Sequence, residues 1–145
     1  MTLPPSQDRI VAALRHVLPQ ARGAWLFGSA AAGRFGPDSD LDIAVDLPTP
    51  LSPTTKWDAA ERLAAQLGAD VDLLDFRRLS TVMQHQVLAT GRLLFSLDPV
   101  ALAGYCGFVL SEYQHMQAWR QPMVKQLAQR LMRAGSQERS GEARP

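Results

Sequence analysis

Sulfur and imidazole are scarce in this chain. Its one cysteine, Cys106, excludes an internal disulfide and any cysteine-built zinc cage. A lone thiol suits a reducing compartment, so a cytoplasmic location is expected. The histidines His16, His85 and His115 stand far apart, with no second imidazole or thiol at ligand spacing, and read as structural or surface groups. Charge of one sign is also lacking. Fifteen Lys and Arg against fourteen Asp and Glu leave a formal charge of +1, so the chain as a whole is no polyelectrolyte seeking nucleic acid. Long apolar runs are missing too. The longest, Val100–Leu110, falls well short of the about 20 residues a helix needs to span a bilayer. The N-terminus has no basic start followed by an apolar block, so neither a membrane segment nor a secretory signal is expected. No internal repeat occurs.

What remains is 145 residues, 46% of them apolar, enough for one domain with a core. Ser6–Leu18 carries Ile10, Val11, Leu14, Val17 and Leu18 at helical spacing behind a Ser6 N-cap, and Pro19 ends it. Ala24–Phe27 is a short apolar run that predicts a buried strand. Asp40–Val45 alternates: Leu41, Ile43 and Val45 point one way, Asp40, Asp42 and Ala44 the other. Thr54 or Thr55 can cap a helix to about Leu67, with Trp57, Ala60, Leu63, Ala64 and Leu67 inward and Gly68 as its stop. Asp70–Phe76 predicts a third strand, Ser80–Ala89 a helix and Arg92–Ser96 a fourth strand. Asp98-Pro99 opens a long helix to about Ala134, bent or broken near Pro122. The expected division is a core over 1–98, a helical segment over 99–134 packing on it, and a flexible tail over 135–145. This order indicates an α/β (α+β) domain: a small mixed sheet flanked by helices, with a long C-terminal helix.

The chemistry concentrates in "LFGSAAAGRFGPDSDLDIAV". Two aspartates on one strand face, Asp40 and Asp42, stand roughly 7 Å apart along the backbone and repel when unpaired. A hard divalent cation resolves that conflict. Mg²⁺ binds through a few carboxylates, keeps waters, and takes further ligands from substrate phosphates. Gly28-Ser29 follows a strand, and such a turn offers backbone N–H groups and a hydroxyl to an anion. Arg34 in the same loop can contact phosphate, or it is a solvated arginine. A metal cradle beside a phosphate cradle describes an enzyme handling a nucleoside triphosphate. A third carboxylate would strengthen it. Asp72 in "DVDLL" is the best candidate, but Asp70 shares its period-two face, and Asp75 lies opposite. A lone Asp-x-Asp recurs by chance at strand ends; the combination of strand, Gly-Ser, ten residues and Asp-x-Asp is far more specific.

That combination resembles the signature of nucleotidyltransferases with the DNA polymerase β-like fold. "VDLLD" at Val71–Asp75 is similar to their third-carboxylate strand. The small size and the stretch "VMQHQVLATGRLLFSLDP" resemble the minimal nucleotidyltransferases, whose relatives include the MntA-type antitoxins paired with HEPN-domain toxins. The resemblance covers about Ile10–Asp98 well and the final helix loosely. It implies Mg²⁺ on Asp40, Asp42 and Asp72, the triphosphate of ATP on Gly28 and Ser29 with Arg34 nearby, and Asp72 activating an acceptor hydroxyl. AMP would pass to that hydroxyl. In such antitoxins the acceptor is a tyrosine of the partner RNase toxin, so a hetero-oligomer is expected. Where relatives often carry larger or basic residues, this chain has Ala30 and Ala32.

Other readings stand beside this one. A small-molecule acceptor would usually require an extra substrate domain, and a chain this short has little room for it. A non-catalytic antitoxin acting by contact alone would have little use for intact carboxylates. Direct nucleic-acid binding is not expected, because nothing here forms a template-holding domain. Arg77-Arg78 follows the third strand and reads as a solvated pair, with contact to a nucleotide or an acidic partner as the alternative. In the last helix Phe108, Glu112, Met116 and Trp119 share a face. Most of that face is expected to cover the sheet, with exposed Met and Trp marking a partner surface as the alternative.

Overall fold

The computed structural model describes residues 3–142, with side chains to residue 136. The first helix, α1 (Gln7–Val17), starts where the Ser6 hydroxyl accepts from the Arg9 N–H. Ile10, Leu14 and Val17 form its buried face. Strand β1 (Gly23–Phe27) runs directly into a single helical turn, α2 (Gly28–Ala31), and β2 (Leu41–Asp46) follows. Helix α3 (Pro53–Leu67) is capped by Ser52, not by Thr54 or Thr55, because Pro53 presets the first helical position. Gly68 ends it in the left-handed conformation. Strand β3 (Val71–Asp75), a 3₁₀ turn (Phe76–Arg78), α4 (Thr81–Thr90, capped by Ser80), β4 (Arg92–Ser96) and α5 (Pro99–Glu142) complete the chain.

The sheet order is β3-β2-β1-β4. β1 pairs antiparallel with both β2 and β4, while β2 and β3 are parallel, joined through α3. The sheet is therefore mixed, as expected. One face carries Leu26, Leu41, Ile43, Val45 and Leu73, packed with Leu14 of α1 and Leu63 of α3. Each fully buried side chain of this size contributes about 1.5–3 kcal/mol by leaving water. The other face carries Trp25, Ala44 and Leu74, packed with Phe76, Val87 of α4, and Leu102 and Tyr105 from the start of α5.

Several expectations change. Trp57 is not inward: it is 64% exposed, and α3 buries Ala59 together with Leu63 and Leu67, the last two as expected. Helix α5 continues through Pro122 to Glu142, past the expected end at Ala134, and residues 143–145 lie outside the described residues. By internal packing the chain falls into two units, Met1–Val109 and Leu110–Pro145. Phe108, Met116 and Trp119 are exposed, not buried as the sequence led one to expect; Leu102, Tyr105 and Cys106 belong to the cluster on this sheet face. Among the described residues, no helix is long and apolar enough to cross a membrane.

Candidate active site

Strand parity and strand pairing build the carboxylate cluster. Leu41, Ile43 and Val45 are drawn into the core, which turns Asp42 and Ala44 to the opposite face. In the parallel β2–β3 pair, Asp42 stands beside Asp72 and Leu41 beside Val71. Neighbouring strands lie about 4.8 Å apart, and register partners point to the same side. The two carboxylates are therefore neighbours. Asp40 immediately precedes β2, outside the ladder. Asp42 is half-buried, whereas Asp40 and Asp72 are exposed. The Asp42 carboxyl is pushed above its usual range, first by partial burial, then by the charges of Asp72 and Asp40. All three groups thus act electrostatically on one place. Asp70 does not: it lies before the β3 ladder, and its backbone carbonyl accepts from the Leu41 N–H at 2.8 Å. The parallel register sets Asp72, not Asp70, beside Asp42, where the alternation alone put both on one face.

Gly28 closes the site from the β1 side. It directly follows Phe27, whose register partner on β2 is Asp42. Gly28 takes φ +71°, and a Cβ there would overlap the Asp42 Oδ2 and stand 3.0 Å from its Cγ. Only glycine allows that approach. Ser29 follows at the start of α2, half-buried, and its carbonyl accepts from the Arg34 N–H at 2.8 Å. Arg34 itself is exposed. The turn leading to Asp40 is also tied: the Ser39 Oγ accepts from the Gly36 N–H at 2.9 Å, and the Ser39 N–H donates to the Gly36 carbonyl at 3.1 Å.

Among the described residues, no three carboxylate, imidazole or thiol groups form a ready-made cage for an ion. The donor set nevertheless fits magnesium, which uses one or two protein carboxylates and completes its shell with water and substrate phosphate. Asp42 and Asp72 supply such a pair, and their mutual repulsion with Asp40 is the charge a divalent cation would neutralise. A separate groove of about 760 Å³ runs past Arg9, Phe35, Asp38, Ser39 and Asp70. It contains none of Asp40, Asp42 and Asp72, so its size does not make it the reaction centre.

The sequence reading missed one buried charge. Asp46 is 4% exposed and follows Asp42 and Ala44 on the same strand face. Arg77 Nε donates to its Oδ1 at 2.6 Å, and Arg22 stands 3.9 Å away. The Arg77 guanidinium also lies 4.2 Å over the Tyr105 ring, and Gln84 donates to the Tyr105 hydroxyl at 2.9 Å. Arg77 is therefore engaged in the interior, not a solvated residue. Arg78 bonds the Leu47 carbonyl and Asp75. Burial, then Asp46, push the neighbouring Cys106 thiol up, against the opposing pull of Arg77. The parity of Asp42 and Asp46 was a signal for this buried aspartate; its partner lies 31 residues away, beyond local pattern.

A mixed four-stranded sheet, with a Gly-Ser turn leading to Asp-Leu-Asp at the start of the next strand, is the architecture of a nucleotidyltransferase. Residues 9–100 match the polymerase beta nucleotidyltransferase family, and the chain belongs to it. It is 35% identical over 119 residues to the protein adenylyltransferase MntA of Shewanella oneidensis, covering 82% of this chain and 85% of that protein. It superposes with TM-score 0.74 and 34% identity on a chain of a toxin–antitoxin crystal structure with AMP-PNP, over 85% of this chain and 98% of that one. A structure of the tri-AMPylated Shewanella oneidensis HEPN toxin with its MNT antitoxin matches with TM-score 0.68 and 33% identity, over 84% of this chain and 95% of that one.

Proposed function

We propose that this chain is a Mg²⁺-dependent protein adenylyltransferase that moves AMP from ATP to a hydroxyl, a tyrosine's in our reading, of a HEPN-type RNase toxin, acting as its antitoxin. The observation that carries this reading is the pairing of Asp42 with Asp72 beside the Gly28 turn. The likeness to an adenylyltransferase over most of both chains supports the reaction class and the kind of partner. With ATP as donor and an RNase toxin as acceptor, a cytoplasmic reaction is part of this reading.

Each residue has a stated task. Asp40, Asp42 and Asp72 would hold the ion, which supplies charge neutralisation at the phosphates and lowers the pKa of an attacking hydroxyl. Gly28 leaves room for Asp42 and lets the backbone approach the triphosphate closely. Ser29 offers its hydroxyl and N–H to phosphate oxygens, and Arg34 adds an exposed positive charge at the loop. Asp72, exposed at the strand edge, takes the proton of the incoming hydroxyl. The hydroxyl oxygen bonds to the α-phosphorus, the bond to the bridging oxygen breaks, and pyrophosphate leaves. The half-buried Asp42 stays fixed by Gly28 and by its strand partners.

Intact mass spectrometry of a co-expressed HEPN toxin, after incubation with ATP and Mg²⁺, tests the reading. Mass gained in whole AMP units with the wild-type chain, and absent with Asp42→Asn, is the expected result. A toxin silenced by the complex without any gain in mass would refute adenylylation for that pair.

A further inference from the structure

The second unit presents a surface that the reaction centre does not use. From Leu110 to Ser136 no described side chain is buried. Met116, Trp119, Met123, Leu127 and Leu131 recur at steps of three and four along this helix, so they form one stripe. Trp119 is 75% exposed and Leu131 66%. A contiguous apolar patch of this kind on a soluble chain marks a binding surface. A helix without tertiary cover is also marginal by itself, and a partner along the stripe would stabilise it.

Charge decides between occupants. Arg120 and Arg130 lie inside the stripe and line the open cleft beside Met123 and Leu127. Between Met116 and Leu131 there is no aspartate or glutamate. Pairing with a second copy would bury guanidinium groups against one another with no carboxylate to meet them, which is costly. A membrane-surface helix or a nucleic-acid helix needs its cations on the polar face, with an uninterrupted apolar face for the membrane case. Here the polar face is mostly neutral: Gln117, Gln121 and Gln129 with Lys125. Arginines set among apolar side chains instead fit a protein surface that brings carboxylates into an apolar contact.

We propose that the Met116–Leu131 stripe of α5 docks the acceptor protein through an apolar surface of that partner bearing carboxylates opposite Arg120 and Arg130. This rests on the reading that the acceptor is a protein.

The test uses the full chain and a purified HEPN-domain toxin as probe. Binding is measured without ATP, and AMP transfer separately. Arg120→Glu/Arg130→Glu and Met123→Gln/Leu127→Gln are compared with the wild type, with circular dichroism confirming that each variant stays folded. The expected result is a rise in Kd and in KM for the toxin of about 30-fold or more, with kcat and KM for ATP unchanged. Wild-type binding and transfer retained by both variants would overturn the surface while leaving the adenylylation reading intact. Stripe-dependent binding with no AMP transferred would do the reverse. Sedimentation showing a wild-type dimer that the substitutions dissociate, or stripe-dependent binding to phosphatidylglycerol vesicles, with toxin binding unchanged in either case, would also overturn it.

Discussion

Replacing Gly28 by alanine tests the central geometric claim, that the turn after β1 is shaped around Asp42. Two costs can be separated. The first is backbone strain: Gly28 sits at φ +71°, and a left-handed conformation costs a non-glycine residue about 1–2 kcal/mol. The second is local. The new Cβ would overlap the Asp42 Oδ2, so the carboxylate must withdraw by about 1 Å or more, and a misplacement of that size costs on the order of 100-fold in rate. Gly68 supplies the control. It has φ +69°, but a Cβ there meets nothing within 4 Å. Gly68→Ala therefore carries the strain without the collision.

Both variants should melt a few degrees below the wild type, in line with about 1–2 kcal/mol in a chain of this size. Only Gly28→Ala should lose on the order of 100-fold in AMP transfer at saturating ATP. Differential scanning fluorimetry and a pyrophosphate-release assay read the two effects separately. Wild-type activity in Gly28→Ala would refute the reasoning, because it would mean that the position of Asp42 does not depend on Gly28. A large activity loss with both would assign the effect to general strain instead.

Other expectations follow from the same contacts. In metal-free protein the Asp42 carboxyl is pushed above 3.8, so the native state favours its protonated form; this destabilisation is fully present above the native pKa and vanishes as pH falls towards 3.8. Asp42→Asn should therefore raise the neutral-pH Tm of the metal-free chain and flatten its pH dependence, and a lower Tm would contradict the assigned repulsion. Arg77→Met leaves Asp46 buried with only the distant Arg22, and should cost about 3 kcal/mol in urea unfolding; a loss under about 1 kcal/mol would mean that Arg22 suffices. Trp57→Ala should move stability by no more than about 0.5 kcal/mol, as expected for an exposed position. Leu63→Ala should cost about 3–5 kcal/mol by opening a cavity between α3 and the sheet, and reversal of this order would overturn the observed face of α3.

The elements that local pattern dictates were legible in the sequence. Ser6 caps α1, Gly68 stops α3, and the alternation over β2 assigns Leu41, Ile43 and Val45 to the core. The candidate site was legible for the same reason, since Gly28, Ser29, Asp40 and Asp42 lie within one short stretch. What depends on distant partners was not. Trp57 shares helical spacing with Ala60 and Ala64, but lies about 160° around the helix from Ala59, and the sheet meets the Ala59–Leu63–Leu67 side. Arg77 looked solvated because its partner, Asp46, is on another strand. The apolar face of α5 looked like sheet cover because its composition is that of a core helix, yet Phe108, Met116 and Trp119 are exposed, while Leu102, Tyr105 and Cys106 join the sheet cluster.

The choice between Asp70 and Asp72 connects core and chemistry. Parallel pairing of β2 with β3 requires a crossover, and α3 provides it. The register of that pairing sets Ile43 beside Leu73, both buried against the α1–α3 layer. A slip of one residue along β3 would turn Leu73 out of that layer and drive a neighbouring polar or half-exposed position into it. The cost of burying Asp72 in an apolar layer, added to the loss of Leu73 from it, excludes the slipped arrangement. Thus Ile43, Leu63 and Leu73, which touch no substrate in the proposed mechanism, hold Asp42 and Asp72 side by side on the far face. Core substitutions at Ile43 or Leu73 should on this argument weaken AMP transfer more than their stability cost predicts. The same loss of core volume at Leu14 of α1, far in sequence from the β2–β3 pair, should reduce stability without that added effect, and kcat measured well below the melting transition separates the two.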